Sequence, residues 1–231
     1  MKRFWAQAQA RAIAQGFEVQ LDGKPLKLPG GEHLILPFPR LAEAIATEWD
    51  ELQGNFTLED LLLTRLAGTA QHQVAPKQPE IILQLTEFGL NDLLCYRSSN
   101  QPALATREAS SWQPWIDWAE QSFGVSPQTG NGLMPITQSP AFEAALRAAL
   151  GRMTIYQLAG LGVIVPALGS LILGLAIEAG ALAPAAAFDC ANLEALWQES
   201  IWGQDAAAQN TREHNLRNIT VAAQFMALCG D

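Results

Sequence analysis

The chain has 231 residues, of which 49% are hydrophobic and 16% are charged, a composition that indicates an ordered globular protein and excludes a disordered tail. This length suffices for one large domain or two small ones. The net charge of −9 argues against a nucleic-acid surface and is easier to reconcile with a basic protein partner. Cys95, Cys190 and Cys229 lie far apart without a CxxC motif, so we expect free thiols in a reducing compartment, with no disulfide and no zinc site.

The first part of the chain, to about residue 38, has the alternating hydrophobic pattern of β-strands. Two turn signals, Asp22-Gly23 and Gly30-Gly31, predict hairpin turns. The hydrophobic period then becomes helical, and residues 40–52 are predicted to form an amphipathic helix. Two further helices are expected at residues 64–74 and 79–88.

From about residue 103 the chain has an almost entirely helical pattern. Besides a long apolar segment, helices are expected at residues 103–123, 140–150, 184–202 and 206–228. The short apolar run from Asp92 to Arg97 fits either a buried strand or a helix end. The predicted fold class is therefore α+β, with an N-terminal α+β domain of β-hairpins and helices at residues 1–88 and a C-terminal α-helical bundle at residues 89–231. The change between them falls between Ala75 and Asn100.

The long apolar segment, Leu158 to Ile177, carries no charged residue over 20 positions and meets the length criterion for a membrane span. It contains Pro166 and several glycines, and no cluster of lysine or arginine flanks it, so the usual topology signal is missing. We expect a buried central helix, or two helices broken at Pro166. The alternative is a membrane-associated protein anchored through residues 158–177.

Motifs that carry reaction chemistry are largely absent from the sequence. The sequence has no phosphate-binding loop, no HExxH motif and no GxSxG elbow, and its three histidines stand apart. We therefore expect no catalytic residues, no cofactor and no metal. The alternative is an enzyme whose site is assembled from distant residues, for example around His72 or Cys95.

The segment from Trp197 to Arg212, WQESIWGQDAAAQNTR, places two tryptophans and scattered acids in a helical pattern. The spacing predicts that Trp197, Ile201 and Trp202 form a ridge that faces inward, while Glu199, Gln204 and Asp205 fall elsewhere and face solvent or a partner. Periodic aromatic residues are usually core, so a purely structural reading of the tryptophans remains open.

Seven short segments, in this order and spacing, resemble a known family, the F1-ATPase assembly chaperones that hold the alpha subunit of ATP synthase. The segments are KRFW (2–5), the GFEVQLDGKP hairpin (16–25), LAEAIATEW (41–49), LTRLAGTA (63–70), DLLCYR (92–97), GSLILGLAI (169–177) and WQESIWGQD (197–205). The resemblance covers nearly the whole chain. It implies an N-terminal α+β domain joined to an orthogonal helical bundle, in which the apolar segment is a bundle helix.

The resemblance also implies a function without ATP or a metal. The chain would bind a newly made F1 alpha subunit, shield the surface later covered by the beta subunit, and be released when the hexamer closes. It would be monomeric when free, without stable membrane insertion. We expect it in a bacterial cytoplasm, or in the mitochondrial matrix as a processed form.

Two groups of residues are candidates for binding the partner. The first is the WGxD region, where the family has an acid after Trp-Gly and this chain has Gln204; its candidate partner-binding residues are Glu199, Trp202, Gly203, Gln204 and Asp205. Either Asp205 and Glu199 would supply the negative charge instead, or the contact at this position would be a hydrogen bond. The second group is structural or partner-binding and consists of Trp49, Arg65, Asp92 and Arg97. Asp92 and Arg97 would either form an ion pair with each other or present charges to the partner.

Overall fold

A computed structural model describes residues 1–28, 30–132, 134–203 and 206–230. The chain begins with an antiparallel sheet of four strands. They are β1 (Ala8–Ile13), β2 (Gly16–Leu21), β3 (Lys24–Pro25) and β4 (Ile35–Leu36). Strand β2 lies in the centre, with β1 on one side and β3 and β4 on the other. The turn predicted at Asp22-Gly23 joins β2 to β3 and has positive φ at both residues, 48° and 77°.

Helix α1 (Pro39–Asp50) packs on this sheet against β1 and β2. Its apolar residues at helical spacing, among them Leu41, Ile45 and Trp49, are buried. The Trp49 ring contacts Trp5 and Phe56, with ring centroids 5.0 and 6.0 Å away. The N-terminal segment is thereby tied to the helix that covers the sheet.

The helices in the middle of the chain follow the predicted order. They are α2 (Leu62–Thr69), which continues as a π-helical turn (Ala70–Val74), α3 (Gln78–Leu90), α4 (Pro102–Phe123) and α5 (Pro140–Gly151). Short 3-10 turns lie at Leu58–Asp60, Ala75–Lys77 and Leu93–Cys95. The DLLCYR run is therefore a 3-10 turn followed by a two-residue strand, β5 (Tyr96–Arg97), which pairs in parallel with β6 (Gly130–Asn131).

The long apolar segment forms two buried helices, α6 (Ile155–Leu168) and α7 (Leu171–Glu178). The predicted break at Pro166 is wrong, because Pro166 lies inside α6 and the chain turns at Gly169, whose φ is +64°. The Ser170 hydroxyl oxygen accepts a hydrogen bond from the Leu173 amide (3.1 Å), which starts the new helix. Among the described residues, no helix has both the length and the hydrophobicity that a membrane span needs.

The C-terminal part consists of α8 (Pro184–Ala191), α9 (Leu193–Trp202) and α10 (Ala206–Leu228). The helix predicted over residues 184–202 is thus two helices that meet at Asn192. Helix α10 packs mainly against α6 and also contacts α2 and α8. The fold is α+β, as predicted, and its buried side chains form one continuous core from the sheet to α10. The domain boundary at residue 88 stays a prediction.

Candidate functional site

The C-terminal end of α9 carries exposed apolar side chains. Leu196, Ile201 and Trp202 have exposed fractions of 42%, 52% and 82%. The expectation that Ile201 and Trp202 face inward is therefore wrong. Trp197 takes the inner position, and Trp202, five residues later, is rotated about 140° around the helix from it. The outcome is an aromatic surface that the fold itself does not use.

Helix α4 and Gln101, the residue that precedes it, hold Trp197 in place. The Arg107 guanidinium lies 4.5 Å from the centre of the Trp197 ring system, and the indole N–H donates to Oε1 of Gln101 (3.2 Å). A cation over the face of an indole is attracted by the ring quadrupole. These contacts fix the rotation of α9 and thereby turn Trp202 outward.

Glu199 connects α9 to α10. Its two carboxylate oxygens accept hydrogen bonds from Nη1 and Nη2 of Arg212 at 2.6 and 2.8 Å, and the side chains are only 15% and 17% exposed. Glu199 was expected to face solvent or a partner, and that expectation is wrong because its carboxylate is committed to Arg212. A bidentate pair of this kind fixes the geometry of both helices. Arg212, which sequence reasoning missed as a site residue, is the first basic residue after Arg152.

Gly203 ends α9 with φ of +94°, a conformation that favours glycine, and its amide donates to the Glu199 carbonyl oxygen (2.9 Å). No described atom lies within 4 Å of the position where a Cβ would stand. The positive φ of the backbone, and not a lack of space for a side chain, is therefore what requires glycine at this position. The two remaining candidates of this segment, Gln204 and Asp205, lie outside the described residues.

Two further acids lie between α4 and α9. Glu108 is fully buried, and its Oε2 accepts a hydrogen bond from the Ser98 amide (2.6 Å). Burial raises the pKa of Glu194, and the nearby Glu108 carboxyl raises it further. Sequence reasoning did not single out either acid, because each is isolated in the sequence and they meet only through the fold.

Trp49 and Arg65 occupy different environments. The Trp49 side chain is buried, and its indole N–H donates to Oγ1 of Thr64 (2.9 Å). Arg65 is exposed on α2 between two cavities of about 410 and 140 Å³. The position of Trp49 fits a packing role, whereas Arg65 can be reached by a partner.

Asp92 and Arg97 do not pair with each other. Asp92 is fully buried, and its carboxylate accepts hydrogen bonds from the amides of Leu94 (3.1 Å) and Ile172 (2.9 Å). Arg97 donates to the Leu94 carbonyl oxygen and lies over the Trp112 ring, 5.1 Å from its centroid. The expected ion pair between Asp92 and Arg97 is wrong, because backbone amides at the start of α7, and not the Arg97 guanidinium, bind the Asp92 carboxylate.

The residues named for a possible enzyme do not form a reactive site. Burial raises the pKa of the Cys95 thiol to about 12, so the nucleophilic thiolate is scarce at neutral pH. His72 lies on the surface with Nδ1 2.7 Å from a carboxylate oxygen of Glu32. In the described ranges, no three acids, histidines or cysteines are grouped as a metal site would need.

Comparisons with known proteins agree with one another. The family model described as "ATP12 chaperone protein" matches residues 2–120. The mitochondrial Atp12 protein of Schizosaccharomyces pombe is 26% identical over 240 residues, covering 99% of this chain and 82% of the yeast protein. The crystal structure of Atp12 from Paracoccus denitrificans is 33% identical with a TM-score of 0.95, covering 99% of this chain and 98% of that one. A crystal structure of an Agrobacterium tumefaciens protein is 30% identical with a TM-score of 0.94, covering 98% and 85%.

Proposed function

Because the chain belongs to the ATP12 chaperone family, a family of F1-ATPase assembly chaperones, we propose that it holds the free alpha subunit of F1 until the beta subunit replaces it. An unassembled subunit exposes an interface that would otherwise self-associate. A chaperone that binds this interface lowers the concentration of the exposed form by mass action. The function requires a binding surface and no reactive group.

The observation that carries this proposal is the exposed aromatic end of α9. Trp202 is 82% exposed, with Ile201 beside it in sequence at 52%. Tryptophan is among the residues that contribute most to binding energy at protein interfaces. An exposed apolar surface on an otherwise well-packed protein commonly marks a binding site. We assign Trp202 as the main anchor for the client, the protein that the chaperone holds.

The negative charge of the segment comes from Asp205 in this proposal. Glu199 supports the surface indirectly, because its carboxylate is bound to Arg212 and fixes α9 against α10. Gln204 contributes a neutral polar group where the family has an acid. The chain, with its net charge of −9, would attract a client surface that carries basic residues.

The test is a co-expression pull-down with tagged chaperone, using untagged F1 alpha subunit and, separately, F1 beta subunit. We expect retention of alpha and not of beta. Trp202→Ala should weaken binding of alpha by about 2 kcal/mol, or about thirtyfold in Kd, the effect typical of an interface anchor. Met134→Ala is the matched control, because Met134 is a large apolar side chain with a similar exposure of 78%.

The melting temperature of each variant separates binding from folding. Trp202→Ala should leave it nearly unchanged, because the side chain buries little surface. Asp205→Lys tests the charge of the segment in the same assay. A folded Trp202→Ala variant that binds alpha as tightly as the unmodified protein would remove α9 as the client surface. Failure of the folded unmodified protein to retain alpha would refute the proposed function itself.

A further inference from the structure

Strand β1 leaves one edge of the sheet open. Among the described residues, β1 pairs only with β2. The Gln7 carbonyl oxygen accepts from the amide of Asp22, the residue after β2 (3.0 Å), whereas the Ala8 amide points away and donates to Oδ1 of Asp50 (3.2 Å). Since the backbone groups of a strand alternate in direction, those of Ala8, Ala10 and Ala12 face outward.

This edge lacks most of the features that prevent strand addition. Proteins usually block a free edge with proline, lysine or a bulge. The β1 sequence, AQARAI, has no proline or lysine, and its register with β2 is regular over all six residues. Its one charged side chain, Arg11, lies on the face of the sheet opposite Ala8, Ala10 and Ala12. The only outward amide of β1 with a hydrogen bond among the described residues is that of Ala8. Alanine side chains also leave the backbone accessible at each outward position.

A groove of about 570 Å³ lies at the Ala8–Ala10 end of this edge, between β1 and α1, and the edge continues beyond it to Ala12. On the strand side it is lined by Ala8, Gln9 and Ala10. On the helix side its lining includes three exposed acids, Glu43, Asp50 and Glu51. Asp50 is already paired with the Arg3 guanidinium (3.1 Å), so the groove combines the unpaired backbone groups of Ala10 with the negative charge of Glu43 and Glu51.

We propose that this groove binds an extended, basic segment of the client polypeptide, which adds to the sheet as a strand beside β1. Backbone hydrogen bonds to Ala10 and Ala12 would provide affinity, and alternate side chains of the segment would meet the acids of α1. That the client is the F1 alpha subunit rests on the proposed function. The groove itself is defined by the structure of this chain alone.

A second copy of this chain is a poorer occupant than a basic client. In a symmetric pair of β1 edges, each α1 would bring Glu43 and Glu51 toward the acids of the other copy. Like charges at close range repel, whereas lysine or arginine side chains would be attracted. Charge complementarity therefore selects a basic client segment over self-association.

Proline at an outward position removes a donor without touching the β1–β2 ladder. Ala10→Pro and Ala12→Pro each delete one outward N–H, and the bonds to β2 come from the intervening residues. A second variant, Glu43→Lys with Glu51→Lys, reverses the charge of the groove and keeps the backbone. Glu87→Lys on α3 is its control, because Glu87 is exposed and does not line the groove.

The probe is a fluorescent eight-residue peptide of alternating lysine and valine, measured by anisotropy, with a glutamate and valine peptide as the charge control. We expect the lysine peptide alone to bind. Its Kd should rise at least about tenfold in the proline variants and in the charge-reversed variant, and not in Glu87→Lys. Hydrogen exchange on the unmodified protein should show protection of the Ala10 and Ala12 amides by the peptide.

The same variants in the pull-down with the alpha subunit separate the two proposals. Binding of the lysine peptide at β1 without retention of alpha would support the groove and refute the proposed function. The groove proposal would be overturned if every folded variant retained alpha and the peptide either did not bind or did not protect the β1 amides from exchange. The proposed function would then still stand. A concentration-dependent dimer abolished by Ala12→Pro would also overturn it, because the edge would then serve a second copy.

Discussion

Asp92 offers the sharpest test of how the family-matched residues act. Its carboxylate lies fully buried between the end of α3 and the start of α7, and replacing it with asparagine keeps the size while removing the charge. The structure assigns it to holding α7. We therefore expect Asp92→Asn to lower the free energy of unfolding without lowering the affinity for the client at the exposed aromatic end of α9.

The magnitude follows from the hydrogen bonds that are lost. The carboxylate accepts from two backbone amides, at 2.9 and 3.1 Å, and also interacts with the Ser170 hydroxyl and the Leu171 amide. An asparagine has one acceptor oxygen and would turn its NH₂ group toward other donors. Each buried donor left without a partner costs about 1–3 kcal/mol, and removing the buried charge offsets part of that cost, so we expect a net loss of about 1–2 kcal/mol at pH 7.

The pH dependence carries a second signature. Burial raises the pKa of Asp92 from 3.8 to about 6, against the lowering effect of its hydrogen-bond donors. The folded state therefore binds more protons than the unfolded state between these two values, and this group adds stability as the pH falls through that window. The stability difference between the unmodified protein and Asp92→Asn should grow by about 1 kcal/mol from pH 7 to pH 5.

Urea unfolding followed by tryptophan fluorescence, at pH 7 and pH 5, measures both quantities. Comparison with Asp92→Asn cancels the contributions of other buried acids, such as Glu48, whose pKa is also raised by burial. A variant with the stability of the unmodified protein at pH 7 would refute the structural assignment. So would a stability difference that shrinks toward pH 5.

Three further predictions concern packing, the ion pair and the thiols. Gly160→Ala should lower the free energy of unfolding by about 1–3 kcal/mol, because the new Cβ would lie 2.4 Å from Cγ of Met226. Gly162→Ala in the same helix meets no atom within 4 Å and should raise the free energy of unfolding by about 0.5–1 kcal/mol. Urea unfolding measures both changes. Arg212→Ala should cost about 2–4 kcal/mol and weaken alpha binding in the pull-down, whereas Arg147→Ala, which breaks an exposed pair, should cost under about 1 kcal/mol. The three cysteines should resist iodoacetamide at pH 8 until the protein is unfolded, as mass spectrometry can show, because burial raises the pKa of each thiol. Equal effects of the paired alanine variants, or rapid labelling of the folded protein, would contradict these expectations.

Helices with a clear hydrophobic period could be predicted from the sequence alone. The helix expected at residues 140–150 is Pro140–Gly151, and the one expected at 79–88 is Gln78–Leu90. Local spacing suffices for such helices, because the same apolar residues that define the period are buried. The seven family segments likewise predict the fold class and the family without knowledge of any contact.

The start of α7 could not be predicted, because a distant residue helps to determine it. The amide of Ile172 donates to Asp92, which lies 80 positions earlier in the chain. This contact and Ser170 allow a helix to begin after Gly169, and α6 continues through Pro166. The sequence left one helix or a break at Pro166 as alternatives, because Gly169 is one of several glycines in the segment and none of them stood out locally.

The orientation of α9 was predicted incorrectly for a similar reason. A period of aromatic residues suggests burial, yet Arg107 of α4 and Gln101, the residue before α4, hold Trp197 and leave the Trp202 side chain exposed. The partner of Glu199, Arg212, is 13 residues away on the next helix. Periodicity shows which residues share a face, and only the packing of helices shows where that face points.

The most direct measurement is retention of the F1 alpha subunit by the tagged chain in cells, with the beta subunit as the specificity control. We expect that alpha is retained and beta is not, and that alpha is lost with a folded Trp202→Ala variant but kept with Met134→Ala. Retention of neither subunit, or equal retention of both, by a folded protein would contradict the proposed function.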